Sequence, residues 1–333
     1  MVTRGETSVT WTVAIILLGV LIVDFALRCL AARLILPMFE RKPPFGRPPQ
    51  VCLDTEEIVS FPTTNGLLLR GRIHRQTQGP PRGVIIFCPE MEGDSTSALY
   101  YCEALFKAGF DLFAFDFRNQ GESESLKGYE PLHWLTEFEV EDAIAAIEYV
   151  RSREEWADLP LGMVGISRGG GAALSAASRR GDVERVVVEG AFTTHQLMEY
   201  YTLRWAELYI PQWLMNLFPL WHVRGTLALV RFLSQLRRRC RYVRLDREIA
   251  RLDGTPVLMI HGERDSYVPL ETARQLARRL PENNELWLVP KTNHNKAKET
   301  HPQEYDQQLM SFFDAIDDPQ AAGQAEHSLP QPA

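Results

Sequence analysis

The body of this chain alternates short apolar runs with amphipathic stretches, and this rhythm constrains the fold more than any other feature of the sequence. Runs such as GVIIFC, DLFAFDF, LGMVG and VERVVVEG are separated by stretches with helical periodicity such as EVEDAIAAIEYVRS. Continuous apolar runs are typical of strands that are buried on both faces. Strict alternation of strands and helices therefore predicts an α/β fold, with a mostly parallel central sheet and helices on both faces.

Two regions depart from this rhythm. EEIVSF and LLLRGRIHR meet at Asn65-Gly66, a dipeptide that favours the tight turn of a β-hairpin. Residues 191–246 follow the predicted sixth strand and contain no strand-like run, so we interpret them as an inserted helical cap. The aromatic residues of this cap form either its core or a groove for an apolar substrate. They are Tyr200, Tyr201, Trp205, Tyr209, Trp213, Phe218 and Trp221.

The N-terminal region contains an apolar stretch, residues 9–23, that no charged residue interrupts before Asp24. A longer helix over residues 9–36 would be able to cross a hydrocarbon core of roughly 30 Å. Asp24 and Arg28 are spaced i, i+4 and can form an ion pair on one face of that helix. The alternative is a cleaved signal peptide, but Cys29-Leu30-Ala31 matches the small-residue cleavage pattern poorly. We therefore predict an uncleaved transmembrane anchor.

The cations around this anchor predict its orientation. Arg4 alone precedes the apolar stretch, whereas several cations follow it. Because Lys and Arg are enriched in cytoplasmic loops, we predict a single-pass protein of the cell membrane with its body in the cytoplasm. The cations that follow are Arg28, Arg33, Arg41, Lys42 and Arg47.

The chain thus divides into segments of different composition. A Pro-rich linker joins the anchor to the body, and a tail rich in Ala, Gln and Pro, which we predict to be disordered, follows the body. The predicted segments are an N-terminal extension (1–8), the anchor (9–36), the linker (37–52), the α/β domain (53–316, with the cap at about 191–246) and the tail (317–333).

Charge and cysteine content argue against some classes of function. A net charge of −7 does not favour nucleic-acid binding, which needs a concentrated basic face. The five cysteines include no CxxC pair and no His/Cys cluster with zinc spacing. We therefore predict no nucleic-acid partner and no metal, and the serine chemistry described below needs no organic cofactor. The oligomeric state is not indicated.

Gly165-Ile166-Ser167-Arg168-Gly169 lies between the run LGMVG and a helix-like stretch of small residues. This is the context of a nucleophile elbow, in which a sharp strand-to-helix turn holds the serine hydroxyl clear of the sheet. Glycines on both sides remove the Cβ atoms that such a turn would bring into collision. Ser167 is therefore the candidate nucleophile.

Two later loops carry a candidate acid and a candidate base. Asp265 and Glu263 follow the run TPVLMI, where either carboxylate could orient an imidazole, and we prefer Asp265. His294 follows the run ELWLVP and would take the serine proton and return it to the leaving group. Asn293 suits a tight turn there, because asparagine tolerates left-handed backbone angles.

With the order Ser, Asp, His, the chain resembles the α/β-hydrolase superfamily, within the group of monoacylglycerol-lipase-like and serine-aminopeptidase-like hydrolases. The resemblance covers residues 56–316 and includes DFRNQGES at 116–123, which is similar to the family's D-x-R-x-x-G-x-S loop. It implies the α/β-hydrolase fold with a helical cap, and a loop at 116–123 that holds a turn behind the active site. It also implies that Ser167, Asp265 and His294 form a catalytic triad.

One segment departs from the family's pattern. After the strand GVIIF the family usually carries His-Gly-x-Gly, whereas this chain has CPEMEGD at residues 88–94. By position, the backbone amides of Met91 and Arg168 would form the oxyanion hole, since backbone donors do not depend on the side chain. The three acidic residues of the segment would oppose an oxyanion unless their side chains point away, or they could bind a cationic substrate group.

We therefore predict a serine hydrolase that cleaves a carboxylic ester of an acyl or lipid-like substrate through an acyl-enzyme intermediate. The alternatives are a thioesterase or peptidase with the same triad, an acyltransferase, and a non-catalytic hydrolase-like binding protein. The sequence does not indicate the acyl chain or the leaving group.

Overall fold

The computed structural model describes residues 4–216, 219–252, 254–314 and 316. Phe218 and the predicted tail at 317–333 lie outside the described residues. The strands are β1 (Glu57–Pro62), β2 (Leu68–His74), β3 (Val84–Cys88), β4 (Asp111–Phe115), β5 (Leu161–Ile166), β6 (Arg185–Glu189), β7 (Val257–Gly262) and β8 (Asn284–Val289). The α-helices are α1 (Arg4–Phe39), α2 (Ala98–Lys107), α3 (Glu137–Ser152), α4 (Arg168–Arg180), α5 (Thr194–Tyr209), α6 (Gln212–Met215), α7 (Leu220–Arg238), α8 (Leu245–Glu248), α9 (Leu270–Ala277), α10 (Ala297–Thr300) and α11 (Pro302–Asp314).

The eight strands form one sheet in the order β1-β2-β4-β3-β5-β6-β7-β8. The pairs β1–β2 and β2–β4 are antiparallel, and every pair from β4 to β8 is parallel. The predicted hairpin is confirmed, because β1 and β2 pair around Gly66, whose φ of 81° is in the left-handed region that glycine adopts readily. The α/β fold with a mostly parallel sheet is also confirmed.

The sheet separates two hydrophobic cores, and β3 shows how its residues alternate between them. Val84, Ile86 and Cys88 belong to the core that contains residues of α3, α4 and α9. Ile85 and Phe87 belong to the core that contains residues of α2 and α11. Because successive side chains of a strand point to opposite faces, a continuously apolar strand is required between two helical layers. This is why the buried strands read as unbroken apolar runs.

The described residues divide into two compact units. One unit comprises the described residues up to 42 and those within 198–239, and therefore holds α1, α6, α7 and most of α5. The other comprises residues 43–197 and the described residues from 240 onwards, and it holds the whole sheet. Along the chain, the helices α5, α6 and α7 occupy the region predicted as a cap after the sixth strand.

Within the first unit, the C-terminal half of α1 packs against α7. The predicted ion pair is formed, with Arg28 Nε 2.6 Å from Asp24 Oδ2. The other carboxylate oxygen of Asp24 lies 2.6 Å from Nδ1 of His222 on α7, so the ion pair of Asp24 and Arg28 is bonded to that helix. Further along, Ser234 donates to Glu40 at 2.8 Å, which means that the two helices run in the same direction.

The stretch Trp11–Phe39 of α1 is long and apolar enough to cross a membrane, a property that N-terminal signal sequences share. The apolar side chains from Trp11 to Val23 are exposed within the unit. The helix extends beyond the predicted anchor at both ends and includes Pro37 of the predicted linker.

Candidate active site

Ser167 occupies a sharp turn between β5 and α4. Its backbone angles are φ 53° and ψ −117°, a conformation that residues other than glycine rarely adopt. The surrounding backbone holds it there, because the Ser167 amide donates to the Glu189 carbonyl at 2.7 Å and its carbonyl accepts from Gly171 at 3.2 Å. Strain of this kind is concentrated at functional sites. The geometry is the one that the Gly-x-Ser-x-Gly pattern predicts.

The glycines that flank Ser167 are required by close backbone contacts. A Cβ atom on Gly165 would lie 2.6 Å from the carbonyl oxygen of Gly169. A Cβ atom on Gly169 would lie 2.2 Å from the carbonyl oxygen of Cys88 and 2.4 Å from that of Pro89. The start of α4 therefore abuts the end of β3, where residues 88–94 begin. This contact brings the two segments that carry Met91 and Arg168 next to each other.

Three of the candidate side chains meet at the carboxyl edge of the sheet. Ser167 Oγ lies 3.0 Å from Nε2 of His294, and Nδ1 of His294 lies 2.7 Å from Oδ2 of Asp265. Oδ1 of Asp265 accepts the amides of Tyr267 at 2.8 Å and Val268 at 2.7 Å. The carboxylate is thereby fixed in orientation on both oxygens. The chain of contacts from hydroxyl to imidazole to carboxylate is continuous.

Glu263, the alternative carboxylate, is not part of this chain. Its Oε2 accepts the backbone amide of Lys291 at 3.4 Å instead. In the turn around Asn293, the left-handed conformation falls on Lys291 (φ 56°) and Asn295 (φ 53°), two residues before it and two residues after it. The backbone turn that presents His294 is therefore formed by the left-handed angles of Lys291 and Asn295.

Several residues that were not predicted from the sequence surround the imidazole. Gly190, which follows β6, has a φ of 64°, and a Cβ atom there would lie 2.8 Å from Cε1 of His294. The ring of Tyr267 lies 5.0 Å from that of His294, measured between centroids, and the ring of Phe45 lies 6.2 Å from it. A glycine immediately after the strand-like run VERVVVE was the sequence signal available for Gly190. No local pattern marks Phe45, which is far away along the chain.

The acidic side chains of residues 88–94 are exposed or are hydrogen-bonded to other parts of the chain. Glu90 is buried and accepts a hydrogen bond of 2.7 Å from the hydroxyl of Tyr101. Burial raises the pKa of Glu90, which favours its neutral form, although the bond from Tyr101 acts in the opposite direction. Glu92 is exposed, and Asp94 caps the short 3-10 helix Ser95–Ser97 by accepting from Thr96. The interpretation of this segment as a site for a cationic group thus loses support.

The side chain of Arg168 points into the protein, away from the end of α4 where its amide lies. Its guanidinium donates to the carbonyl of Leu132 at 2.8 Å and to Gln120, and it lies over the ring of Phe117. Gln120 belongs to the D-x-R-x-x-G-x-S loop at 116–123. This loop therefore helps to fix the helix start that follows Ser167.

The remainder of that loop is held by buried charged groups. Arg118 is fully buried and binds Asp142 of α3 through its Nε at 2.8 Å and its backbone amide at 2.9 Å. Asp116 accepts the amides of Ser95 and Glu122, both at 2.7 Å. The loop thus connects α3, the segment after β3 and the start of α4, which is the structural role that the resemblance implies.

A second histidine, His261, lies beside the acid. It is buried, with its Nδ1 4.0 Å from Oδ2 of Asp265. Burial lowers the pKa of His261, so its neutral form is favoured. A neutral imidazole adds no charge that would compete with His294 for Asp265. Among the residues that the structure describes, no group of three or more His, Cys, Asp or Glu side chains is arranged to hold a metal ion.

The sheet order and the serine elbow are those of an α/β hydrolase. The family model described as "Serine aminopeptidase, S33" (Hydrolase_4) matches residues 79–246, about half of the chain. The chain belongs to this family of α/β hydrolases. The matched region includes Met91, Ser167 and Arg168 and ends before Asp265. Among curated proteins, none matches the sequence significantly.

Solved structures share the fold. The esterase Pf2001 of Pyrococcus furiosus is 18% identical, with a TM-score of 0.59 over 83% of this chain and 99% of its own. The α/β hydrolase GrgF from Penicillium sp. sh18 is 17% identical, with a TM-score of 0.57 over 78% of this chain and 98% of its own. A dienelactone hydrolase from Anabaena variabilis is 19% identical, with a TM-score of 0.54 over 78% and 96% of the two chains. At these identities the likeness shows the fold alone.

Proposed function

We propose that this hydrolase cleaves carboxylic esters through an acyl-enzyme formed on Ser167. The observation that carries the proposal is the continuous contact from Ser167 Oγ to His294 Nε2 at 3.0 Å and from His294 Nδ1 to Asp265 Oδ2 at 2.7 Å. A serine hydroxyl is a weak nucleophile unless a base accepts its proton, and the base is effective when a third group orients it. The esterase and the dienelactone hydrolase among the similar structures are consistent with ester chemistry.

The reaction follows from this arrangement. His294 takes the proton of Ser167 as the oxygen attacks the ester carbonyl, and Asp265 stabilises the imidazolium that forms. The backbone amides of Met91 and Arg168 bind the tetrahedral oxyanion at the junction of β3 and α4. Collapse of this intermediate breaks the bond to the leaving alcohol, which takes the proton from His294. Water then attacks the acyl-enzyme with His294 again as the base, and the carboxylic acid leaves.

An acyl or lipid-like ester is the proposed substrate class. The rings of His133, Trp134, Phe192 and Tyr267 form a connected aromatic cluster on the side of His294, with centroid separations between 4.0 and 6.1 Å. The first three rings are buried, whereas Tyr267 is partly exposed and lies 5.0 Å from His294 between ring centroids. An aromatic ring in this position favours an apolar substrate group next to the scissile carbonyl. The apolar helix α1, as a transmembrane anchor, would keep the enzyme at the membrane where lipid-like esters are concentrated.

A fluorophosphonate probe tests the serine chemistry. The full-length protein in detergent is expected to form a covalent adduct at Ser167, because the probe reacts with a serine that a base activates. Ser167→Ala should give no adduct and no hydrolysis of p-nitrophenyl esters, while mass spectrometry locates the label in the wild type.

Ser175→Ala is the matched control, since Ser175 is a buried serine of the same helix α4 and lies two turns beyond the elbow. It should be labelled like the wild type. Absence of labelling in a folded wild-type protein would instead support a non-catalytic binding protein. Parallel assays with a matched ester, thioester and amide separate the esterase from a thioesterase or a peptidase.

The proposed topology places the hydrolase body in the cytoplasm, as the cations after the apolar stretch of α1 favour. Protease added to intact cells is expected to leave the body of the protein undigested, and permeabilised cells should lose it. Digestion from outside intact cells would reverse the assignment.

A further inference from the structure

Phe45 lies in the segment that the sequence predicts to be only a linker, yet its ring belongs to the active site. The centroid of the Phe45 ring is 6.2 Å from that of His294 and 5.0 Å from that of Tyr267. It also lies 6.4 Å from the ring of His133. Phe45 thus joins the aromatic cluster beside His294, although it belongs to the segment that follows α1.

The same segment is fixed again by residues that follow β3. Gln50 donates from Nε2 to Asp94 Oδ2 at 3.2 Å, and the amide of Val51 donates to the carbonyl of Thr96 at 2.9 Å. Asp94 ends the 88–94 segment, which carries the proposed oxyanion donor Met91. Residues 43–51, which we name the strap, therefore connect the His294 side of the site with the oxyanion side.

The composition of the strap makes it stiff. It reads PPFGRPPQV, and its four prolines have fixed φ angles. Proline-rich segments are extended and semi-rigid, so few conformations are lost when such a segment is held at both ends. The position of Phe45 is therefore defined by the contacts of Gln50 and Val51 as well as by its own ring contacts.

We propose that Phe45, held in place by the strap, forms one wall of the substrate site and determines specificity by contacting the apolar group next to the scissile carbonyl. This inference rests on the proposed esterase function. Ser167 Oγ is 3.0 Å from the imidazole of His294, and the ring of Phe45 lies against that same imidazole. When the carbonyl carbon of an ester is held at Ser167, an acyl chain of several carbons is long enough to reach the rings of Tyr267 and Phe45. The ring of Phe45 is only partly buried, which leaves a face available to a substrate.

Phe45→Ala in the full-length protein tests the strap. Hydrolysis of p-nitrophenyl acetate and p-nitrophenyl octanoate is compared by measuring kcat and KM separately. The KM for the octanoate is expected to rise about tenfold, because the variant lacks an apolar contact to the longer chain. For the acetate, which is too short to use that contact, kcat and KM should change less than about twofold.

Two further variants serve as controls. Arg47→Ala changes an exposed residue of the same strap and should leave both esters unaffected. Phe45→Leu retains an apolar side chain and should restore most of the affinity for the octanoate. Thermal unfolding of each variant separates a loss of contact from a loss of fold.

Several results would overturn the inference. An equal loss on both esters would mean that Phe45 acts only by positioning His294, and an unchanged octanoate KM would mean that the strap does not contact the substrate. In either case fluorophosphonate labelling of Ser167 and acetate hydrolysis by the wild type would still support the proposed function. If the wild type neither reacts with the probe nor hydrolyses either ester, the proposed function is wrong, and the strap inference is overturned with it.

Discussion

Asp265→Asn is expected to lower kcat for ester hydrolysis by about 10³-fold or more while the fold is preserved. The asparagine has the same shape, and its Oδ1 can still accept the amides of Tyr267 and Val268. It lacks the negative charge that stabilises the His294 imidazolium, and its amide group can hold the imidazole in the tautomer that places a proton on Nε2. Nε2 faces Ser167 at 3.0 Å and would then be unable to accept the serine proton.

Glu263→Gln is the matched control for this prediction. Both carboxylates lie on the loop after β7, but Glu263 contacts the amide of Lys291 at 3.4 Å rather than His294. Its replacement should change kcat less than about twofold, because no charge beside the imidazole is removed. Steady-state kinetics with a p-nitrophenyl ester and circular dichroism of both variants provide the measurements. A large effect of Glu263→Gln together with a small effect of Asp265→Asn would exchange the roles of the two residues.

The two carboxylates show that the sequence predicts the position of a loop but not the direction of its side chains. A pattern of apolar runs locates the loop after β7, because strand ends follow directly from the alternation. It does not indicate which carboxylate of the loop turns toward the imidazole, since that depends on hydrogen bonds to Tyr267, Val268 and Lys291. Side-chain direction within a loop is set by tertiary contacts.

The acidic side chains of residues 88–94, where the chain differs from the family's pattern, could not be assigned a direction from the sequence either. The sequence shows three acidic residues beside the proposed oxyanion hole and cannot show their directions. In the structure, Tyr101 on α2 binds Glu90, and the Ser95–Ser97 helix uses Asp94 as its cap. Neither partner is recognisable from the segment itself. By contrast, the elbow at Ser167 was predictable, because its glycines are required by contacts within a few residues and with the adjacent strand.

The role of the strap could not be predicted for a different reason. Pro-rich composition indicates a stiff, extended segment. The contacts of Phe45, however, are with Tyr267 and His294, which are more than two hundred positions further along the chain. A single sequence contains no local signal for such a pairing.

A buried carboxyl group, Glu189, gives the second large expected effect, which depends on pH. Glu189 ends β6 and is 2% exposed, and its Oε1 accepts the amide of Ala297 at 2.9 Å. Burial raises the pKa of Glu189 from 4.5 to about 8, and the nearby negative charge of Asp265 adds to this rise. The folded protein therefore keeps a proton on Glu189 over a pH range in which the unfolded chain has released it.

The sign of the effect follows from this difference. Below pH 4.5 both states hold the proton, and the group does not penalise folding; as the pH rises towards 8, only the folded state remains protonated and stability falls. Glu189→Gln imitates the protonated group at every pH. The variant should thus match the wild type near pH 5 and be more stable near pH 8 by about 2–4 kcal/mol. Urea unfolding in detergent at both pH values measures this, and parallel pH profiles of the two proteins would show that the carboxyl group ionises as easily in the folded state as in the unfolded chain.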